Sequence, residues 1–467
     1  MAVSKITVMK FGGTSVEDER AFERLVNIVG TEYSPRTSSP VVVVSAMSGV
    51  TNALLASVGL ATAADPEGAM HSLEPQWERH LIVAQSLTSE SAAIEAILQT
   101  AKREIAELLV ATAAETMPRP LLQDLIVTYG ERLSAALLAA VLRQASLPAQ
   151  HVDARRCIIT NGEHGRAEPL PAQITLRSRA ELEPLIAAET IPVLGGFIGA
   201  TVDGTTTTLG RGGSDYTASL LGAALAASEV QIWTDVTGVL TADPGLVPQA
   251  KTIARLSYEE AAELAYFGAK VLHPKTIQPA MEQNIPVRIC NAREPSASGT
   301  IVCSDTELSP RNVKAIAHKT GITLVQVSSA RMLGAYGFLH AIFEVFNRHR
   351  TAIDIVTTSE VSVSLSLDDT STLAAVVNEL KQLGAVRVEH NQAIICVVGE
   401  GLRATPGIAG RIFNCLSDIN VSLISHGASS VNVTFVVEER NVRKAISRLH
   451  ATFFEHNAAD LGEAAVA

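Results

Sequence analysis

Lys10-Phe11-Gly12-Gly13-Thr14-Ser15 stands directly after an apolar run, Ile6–Met9, and directly before a helical pattern. Glycines without Cβ let backbone N–H groups approach an anion. A helix N-terminus adds partial positive charge and Lys10 adds a full one, so this corner suits a phosphate. Ser15 with Asp18 is equally the pattern of a capping box. A second apolar run ends in Ser45-Ala46-Met47-Ser48-Gly49-Val50-Thr51-Asn52, small and hydroxylic residues where a strand feeds a helix. In open α/β sheets ligands sit outside the carboxyl ends of strands, so both corners can face one crevice.

The densest run is Leu194-Gly195-Gly196-Phe197-Ile198-Gly199, then Thr205–Leu209, then Gly210-Arg211-Gly212-Gly213-Ser214-Asp215. Among three glycines, Arg211 is free to fork a carboxylate. Asp215 opens a helical pattern that runs to Ala227; it is a partner for the helix dipole or, given its neighbours, a catalytic carboxylate. Glu131 lies in the helical stretch Leu121–Ala145 behind Gly130, which costs roughly 1 kcal/mol of helix stability and implies a close approach there. Glu131 could bind a substrate ammonium or, as a lone helical acid beside Arg132, simply be solvated. Thr234 and Asp235, at the end of another apolar run, are placed to bond a ribose or base, and Lys270 could add positive charge at the phosphates. His273 has no partner at metal-binding spacing and reads as structural. Neither the P-loop nor the G-x-G-x-x-G signature occurs, so any ATP site needs a different fold.

These residues need elements to position them. From Val3 to about Pro310 short β-rich runs alternate with long helical stretches, the pattern of a parallel sheet covered on both faces. The expected strands include Ile6–Met9, Val41–Val44, Ile191–Leu194 and Val230–Trp233; helices fill Ala92–Met117 and Leu121–Ala145, separated by Pro118 and Pro120. Beyond Asn312 an internal repeat emerges. Gly337–Phe343 aligns with Gly407–Phe413, and Ile353–Thr357 with Val421–Ser425. Each copy reads as a strand, a Gly-led helix and two alternating strands, such as Ser362–Leu367 and Val431–Val437.

Composition bounds the function. A 467-residue chain, 47% hydrophobic and 18% charged, is expected to form two or three well-packed domains. A net charge of −11 disfavours nucleic acid and anionic membranes as partners. Five cysteines without C-x-x-C spacing fit reduced thiols, and the N-terminus reads as a strand rather than an export signal. A cytoplasmic location is the expectation.

The strings KFGGTSV at Lys10–Val16, GFIG at Phe197, TTTLGRGGSDYTA at Thr206–Ala218 and FGAKVLHP at Phe267–Pro274, in this order, closely resemble the aspartate kinases of the amino acid kinase superfamily, in particular the monofunctional lysine-sensitive class. The resemblance implies an α/β fold: a three-layer αβα kinase domain with a mostly parallel sheet, 1–305, followed by two α+β ferredoxin-like ACT domains. The first ACT domain, 322–392, would be inserted in the second, 306–321 plus 393–457.

The implied reaction is ATP + L-aspartate to ADP + 4-phospho-L-aspartate, the first step of lysine, threonine and methionine biosynthesis. Lys10 and Asp215 would be catalytic, and Ser45, Thr51, Glu131, Phe197, Arg211 and Ser214 would hold aspartate. Lys10, Phe11, Gly12, Gly13, Thr234, Asp235, Leu240, Lys270 and Val271 would bind ATP, with Mg²⁺ held mainly through its phosphates and no dedicated protein metal site. At Leu240 and Gly245 the chain departs from the Tyr and Arg common in the family. Met332, Ala335, Gly337, Phe338, Leu339, Ile353, Asp354, Thr358, Ser359 and Glu360 would form an effector site for L-lysine at a homodimeric ACT interface, with a dimer of dimers left open. A glutamate- or acetylglutamate-type kinase and a catalytically silent amino-acid sensor remain as rivals.

Overall fold

The computed structural model describes residues 5–35, 37–268, 274–304 and 313–455. By contact the chain forms two compact units: Met1–Val239 with Ala254–Tyr258 and Val271–Asp305, and Leu240–Ile253 with Glu259–Lys270 and Thr306–Ala467.

The first unit carries β1 (Lys5–Phe11), β2 (Ser38–Val44), β3 (Ala149–Val152), β4 (Ile191–Gly195), β5 (Ile198–Ala200), β6 (Thr206–Thr208), β7 (Glu229–Thr234), β8 (Arg255–Ser257), β9 (Val287–Asn291) and β10 (Thr300–Cys303). Eight of these make one sheet in the order β3-β4-β2-β1-β7-β9-β10-β8, parallel except at β9–β10; β5 and β6 form a separate ribbon. Val41 to Val44 are all fully buried, as a strand covered on both faces requires. Register aligns Phe11 with Val44 and Trp233, and Val44 with Gly195, so the carboxyl ends of β1, β2, β4 and β7 lie along one edge.

The helices depart from expectation in detail. The second long stretch is two helices, Arg119–Val127 and Tyr129–Gln144, divided at Thr128, and the helix bearing Asp215 is Gly213–Ala224, ending before Ala227. Proline at the start of Arg119–Val127 falls in the first turn, where its missing N–H costs nothing. The stretch Arg119–Gln144 is long and apolar enough to cross a membrane by length and composition alone. Most of it is buried within this unit, so it is a core element.

The second unit carries β11 (Ala315–Ser328), β12 (Val356–Thr358), β13 (Ser362–Leu367), β14 (Ala385–Val398), β15 (Val421–His426) and β16 (Asn432–Glu438) in one sheet, ordered β12-β13-β11-β14-β16-β15. The repeat read from the sequence has a structural counterpart. Helices Phe338–Arg348 and Ile408–Asn414 are each preceded by a glycine at φ 77°, Gly337 and Gly407, in the left-handed region that glycine tolerates. Two cores flank the long strands: one gathers Val325, Ile342, Phe346, Val363 and Leu380, the other Val313, Ile316, Ile395, Ile412, Phe435 and Ile446.

Candidate active site

At the carboxyl edge of the sheet lies a cleft of about 540 Å³. Lys10, Ser45, Thr51, Glu131, Phe197, Arg211, Ser214 and Asp215, all expected from the sequence, line it together. Lys10 leaves β1 just before its end, and Asp215 occupies the first turn of Gly213–Ala224. Their charged ends meet at 2.6 Å, each side chain less than a fifth exposed. Asp215 therefore holds the Lys10 ammonium in place at the wall of the cleft.

Close packing explains the glycines. A Cβ on Gly196 would lie 2.6 Å from Ser214 Cβ, and one on Gly213 would lie 2.7 Å from the Phe197 ring. Gly130, which lies in the first turn of Tyr129–Gln144 rather than mid-helix, faces the Ala46 methyl, where a Cβ would sit 2.8 Å away. The next residue is thereby held against the β2 turn. Phe197 has φ 68°, a strained setting for a non-glycine; its N–H donates to the Thr217 hydroxyl (3.0 Å), which in turn donates to the Gly213 carbonyl (2.9 Å). The sequence carried no sign of that strain.

Glu131 is 4% exposed, and burial pushes its carboxyl up to about 8 against the pull of the Ala46 backbone and the Thr51 hydroxyl. Its Oε2 is buried with no partner. A buried acid with an empty lone pair, facing a cleft, is a receptor for a cation. Arg211 is exposed on a loop that also lines the cleft, between Gly210 (φ 74°) and Gly212 (φ 72°).

The remaining expected residues are placed as follows. Phe11 is fully buried and stacks on Trp233 at 5.9 Å, so its side chain belongs to the core. The Gly12 N–H donates to the Trp233 carbonyl (3.2 Å), tying the turn after β1 to β7. Thr234 ends β7 and donates to Asp235 (3.2 Å), which is exposed. Leu240 belongs to the second unit, half-buried and bridged to Thr252. Lys270, Val271 and His273 lie outside the described residues. The sequence reading missed Gln123, Val127 and Gly165, which also line the cleft; an acid at Asp124, inside the apolar run Leu121–Val127, was the available signal.

In the second unit Asp354 is nearly buried. Its Oδ1 accepts from the Tyr266 hydroxyl (2.7 Å) and Lys319 Nζ (3.2 Å), while Oδ2 is buried without a partner. Met332, Phe338 and Ile353 pack against the adjoining core, Gly337 caps the helix, and Leu339 is exposed. Ala335 is exposed, Thr358 ends β12, Ser359 meets Ser362 (2.8 Å between hydroxyls), and Glu360 projects into solvent.

The profile of the amino acid kinase family matches residues 5–291, and that of the ACT domain matches 395–453. The chain belongs to the aspartokinases of the amino acid kinase family. It is 39% identical to the lysine-sensitive aspartokinase 3 of Escherichia coli over 97% of this chain and 100% of that one, and 37% identical to a chloroplastic aspartokinase 3 of Arabidopsis thaliana over 96% and 81%. The crystal structure of E. coli aspartokinase III with aspartate and ADP superposes with a TM-score of 0.82, at 39% identity, covering 96% of this chain and 100% of that one. The same enzyme with lysine and aspartate gives 0.81, at 39% identity, over 97% and 100%.

Proposed function

We propose that the cleft transfers the γ-phosphoryl group of ATP to the side-chain carboxylate of L-aspartate, opening the route to lysine, threonine and methionine. The observation that carries this is the convergence of Lys10, Asp215, Arg211 and Glu131 on one cleft. Aspartate's carboxylate, with a pKa near ~3.9, is already ionised and needs no general base. The difficulty is bringing two anions together, which positioning and charge neutralisation relieve.

Lys10, held by Asp215, faces the transferring phosphate; Arg211 forks the α-carboxylate; and Glu131, with Thr51 and Ser45 nearby, receives the ammonium. Phe197 and Ser214 close the aspartate side. Backbone groups at Phe11 to Gly13, with Thr234, Asp235, Leu240, Lys270 and Val271, are assigned to the nucleotide on the strength of the family resemblance. Among the described residues no three His, Cys, Asp or Glu side chains lie together as a metal cage. Mg²⁺ carried mainly by the nucleotide's own phosphates would offset their charge.

We further infer a catalytic domain at 1–305, an ACT domain at 322–392 inserted in a second at 306–321 plus 393–457, and feedback by L-lysine at Asp354 and its neighbours. The two separate cores along the long strands support the division, and the orphaned Asp354 Oδ2 supports an ammonium ligand. Exposed Leu333, Tyr336, Leu339, Phe343 and Val356 fit a face covered by a second copy. All five cysteines are free, in keeping with a reducing, cytoplasmic setting.

A panel of aspartate, glutamate and N-acetylglutamate with ADP detection tests the reading. Turnover with aspartate alone is expected; turnover only with another acceptor, or with none, overturns it.

A further inference from the structure

Asp124 has no part in the chemistry above, yet it is among the most fully engaged side chains beside the cleft. It is 1% exposed, between the fully buried Leu122 and Ile126 on helix Arg119–Val127. Its Oδ1 accepts from the Thr208 hydroxyl (2.6 Å) and the Gly165 N–H (3.1 Å); its Oδ2 accepts from the same N–H (3.0 Å) and meets His164 Nδ1 at 2.9 Å. These donors come from two other segments, the loop around Gly165 and strand β6.

The same three segments wall the cleft, through Gln123 and Val127, Gly165, and Thr208 with Gly210–Gly212. They are joined again where the Ala167 N–H donates to the Thr208 carbonyl (2.8 Å), and where a Cβ on Gly210 would come within 3.1 Å of the Gly165 carbonyl. Arg211 follows Thr208 by a few residues on the strand's exit. A buried carboxylate is costly unless its lone pairs are filled, and removing this one would leave the Thr208 hydroxyl and the Gly165 N–H without their acceptor.

We infer that Asp124 is a positioning residue for the amino-acid substrate: by clamping Gly165 and Thr208 to helix Arg119–Val127 it sets where Arg211 meets the substrate carboxylate. It touches no reacting atom and acts through the loop that carries Arg211. The inference rests on the reading of Arg211 as the aspartate fork.

Steady-state kinetics of the full chain test it. Asp124→Asn keeps the size but sets an amide NH₂ among donors. It is expected to raise KM for aspartate roughly tenfold, about 1.4 kcal/mol, with KM for ATP within about twofold of wild type. Thr208→Val keeps the shape, deletes one donor and gives a smaller rise of the same selectivity. In an Arg211→Ala background Asp124→Asn adds little, because its effect is already lost. No aspartate-dependent ADP from the wild type would sink the reading of function itself. With an active wild type, an unchanged aspartate KM in these variants overturns the positioning role. So does a fall of both KM selectivity and kcat that merely tracks a lowered melting temperature. Where Asp124→Asn fails to fold, Thr208→Val decides alone.

Discussion

Glu131 carries its chemistry in its titration. Its receptor form for an ammonium is the ionised one, but burial raises the carboxyl to about 8, so most empty sites are protonated at neutral pH. KM for aspartate should therefore fall by about tenfold per pH unit as pH rises toward 8, then level off, and Glu131→Gln should show a high, pH-independent KM. A pH profile of KM checks this. The linked effect on stability has a definite sign. A carboxyl with a raised folded-state pKa binds its proton more tightly in the native chain, so stability falls as pH rises from about 4.5 to about 8. Glu131→Gln should accordingly raise the melting temperature most at the alkaline end of that window. Lys10 and Asp215 were legible in the sequence because their motifs are local. Glu131 stood out only through Gly130, and the strain at Phe197 left no trace, since it depends on Thr217 reaching back across the fold.

Among the elements, the glycine-rich turns work by proximity. Gly196→Ala would drive a Cβ into Ser214, so the helix start Gly213–Ser214 must shift; aspartate turnover is expected to fall by at least an order of magnitude with the fold retained, readable by kinetics and circular dichroism. In the second unit the helix ending at Tyr266 is tied to Asp354, the group assigned to the effector ammonium. Tyr266→Phe removes a competing donor, so lysine inhibition is expected at several-fold lower lysine concentration; an unchanged inhibition curve counts against it. Buried strands and the repeat were legible because both leave periodic apolar patterns. The break at Thr128 was not, because helical hydrogen bonds continue across it, from the Thr128 N–H to the Asp124 carbonyl (3.3 Å) and from the Arg132 N–H to the Thr128 carbonyl (3.2 Å). Asp124 was visible as an acid between apolar residues, but its role was not, since its partners Gly165 and Thr208 lie far away in sequence.

At the scale of the whole molecule the chain is not a catalytic domain simply joined to a tail. Leu240–Ile253 and residues 259–268 belong by contact to the second unit, although the segments that flank Leu240–Ile253 belong to the first. There Ala242 and Val247 enter the core with Val397 and Phe435, the Thr241 hydroxyl meets His450 (3.0 Å), and Glu260 pairs with a nearly buried Lys314 (2.8 Å). A chain cut after residue 305 would strip those segments of their core, at about 1.5–3 kcal/mol for a fully buried Val side chain. It is expected to express poorly or melt well below the full chain. This exchange of segments could not be read from the sequence, since composition changes only near residue 310. The most direct measurement for the account is aspartate-dependent ADP release by the wild type and by folded Lys10→Ala. The cleft's electrostatics predict a loss of several orders of magnitude with an unchanged circular dichroism spectrum; a folded Lys10→Ala protein with near wild-type turnover would contradict it.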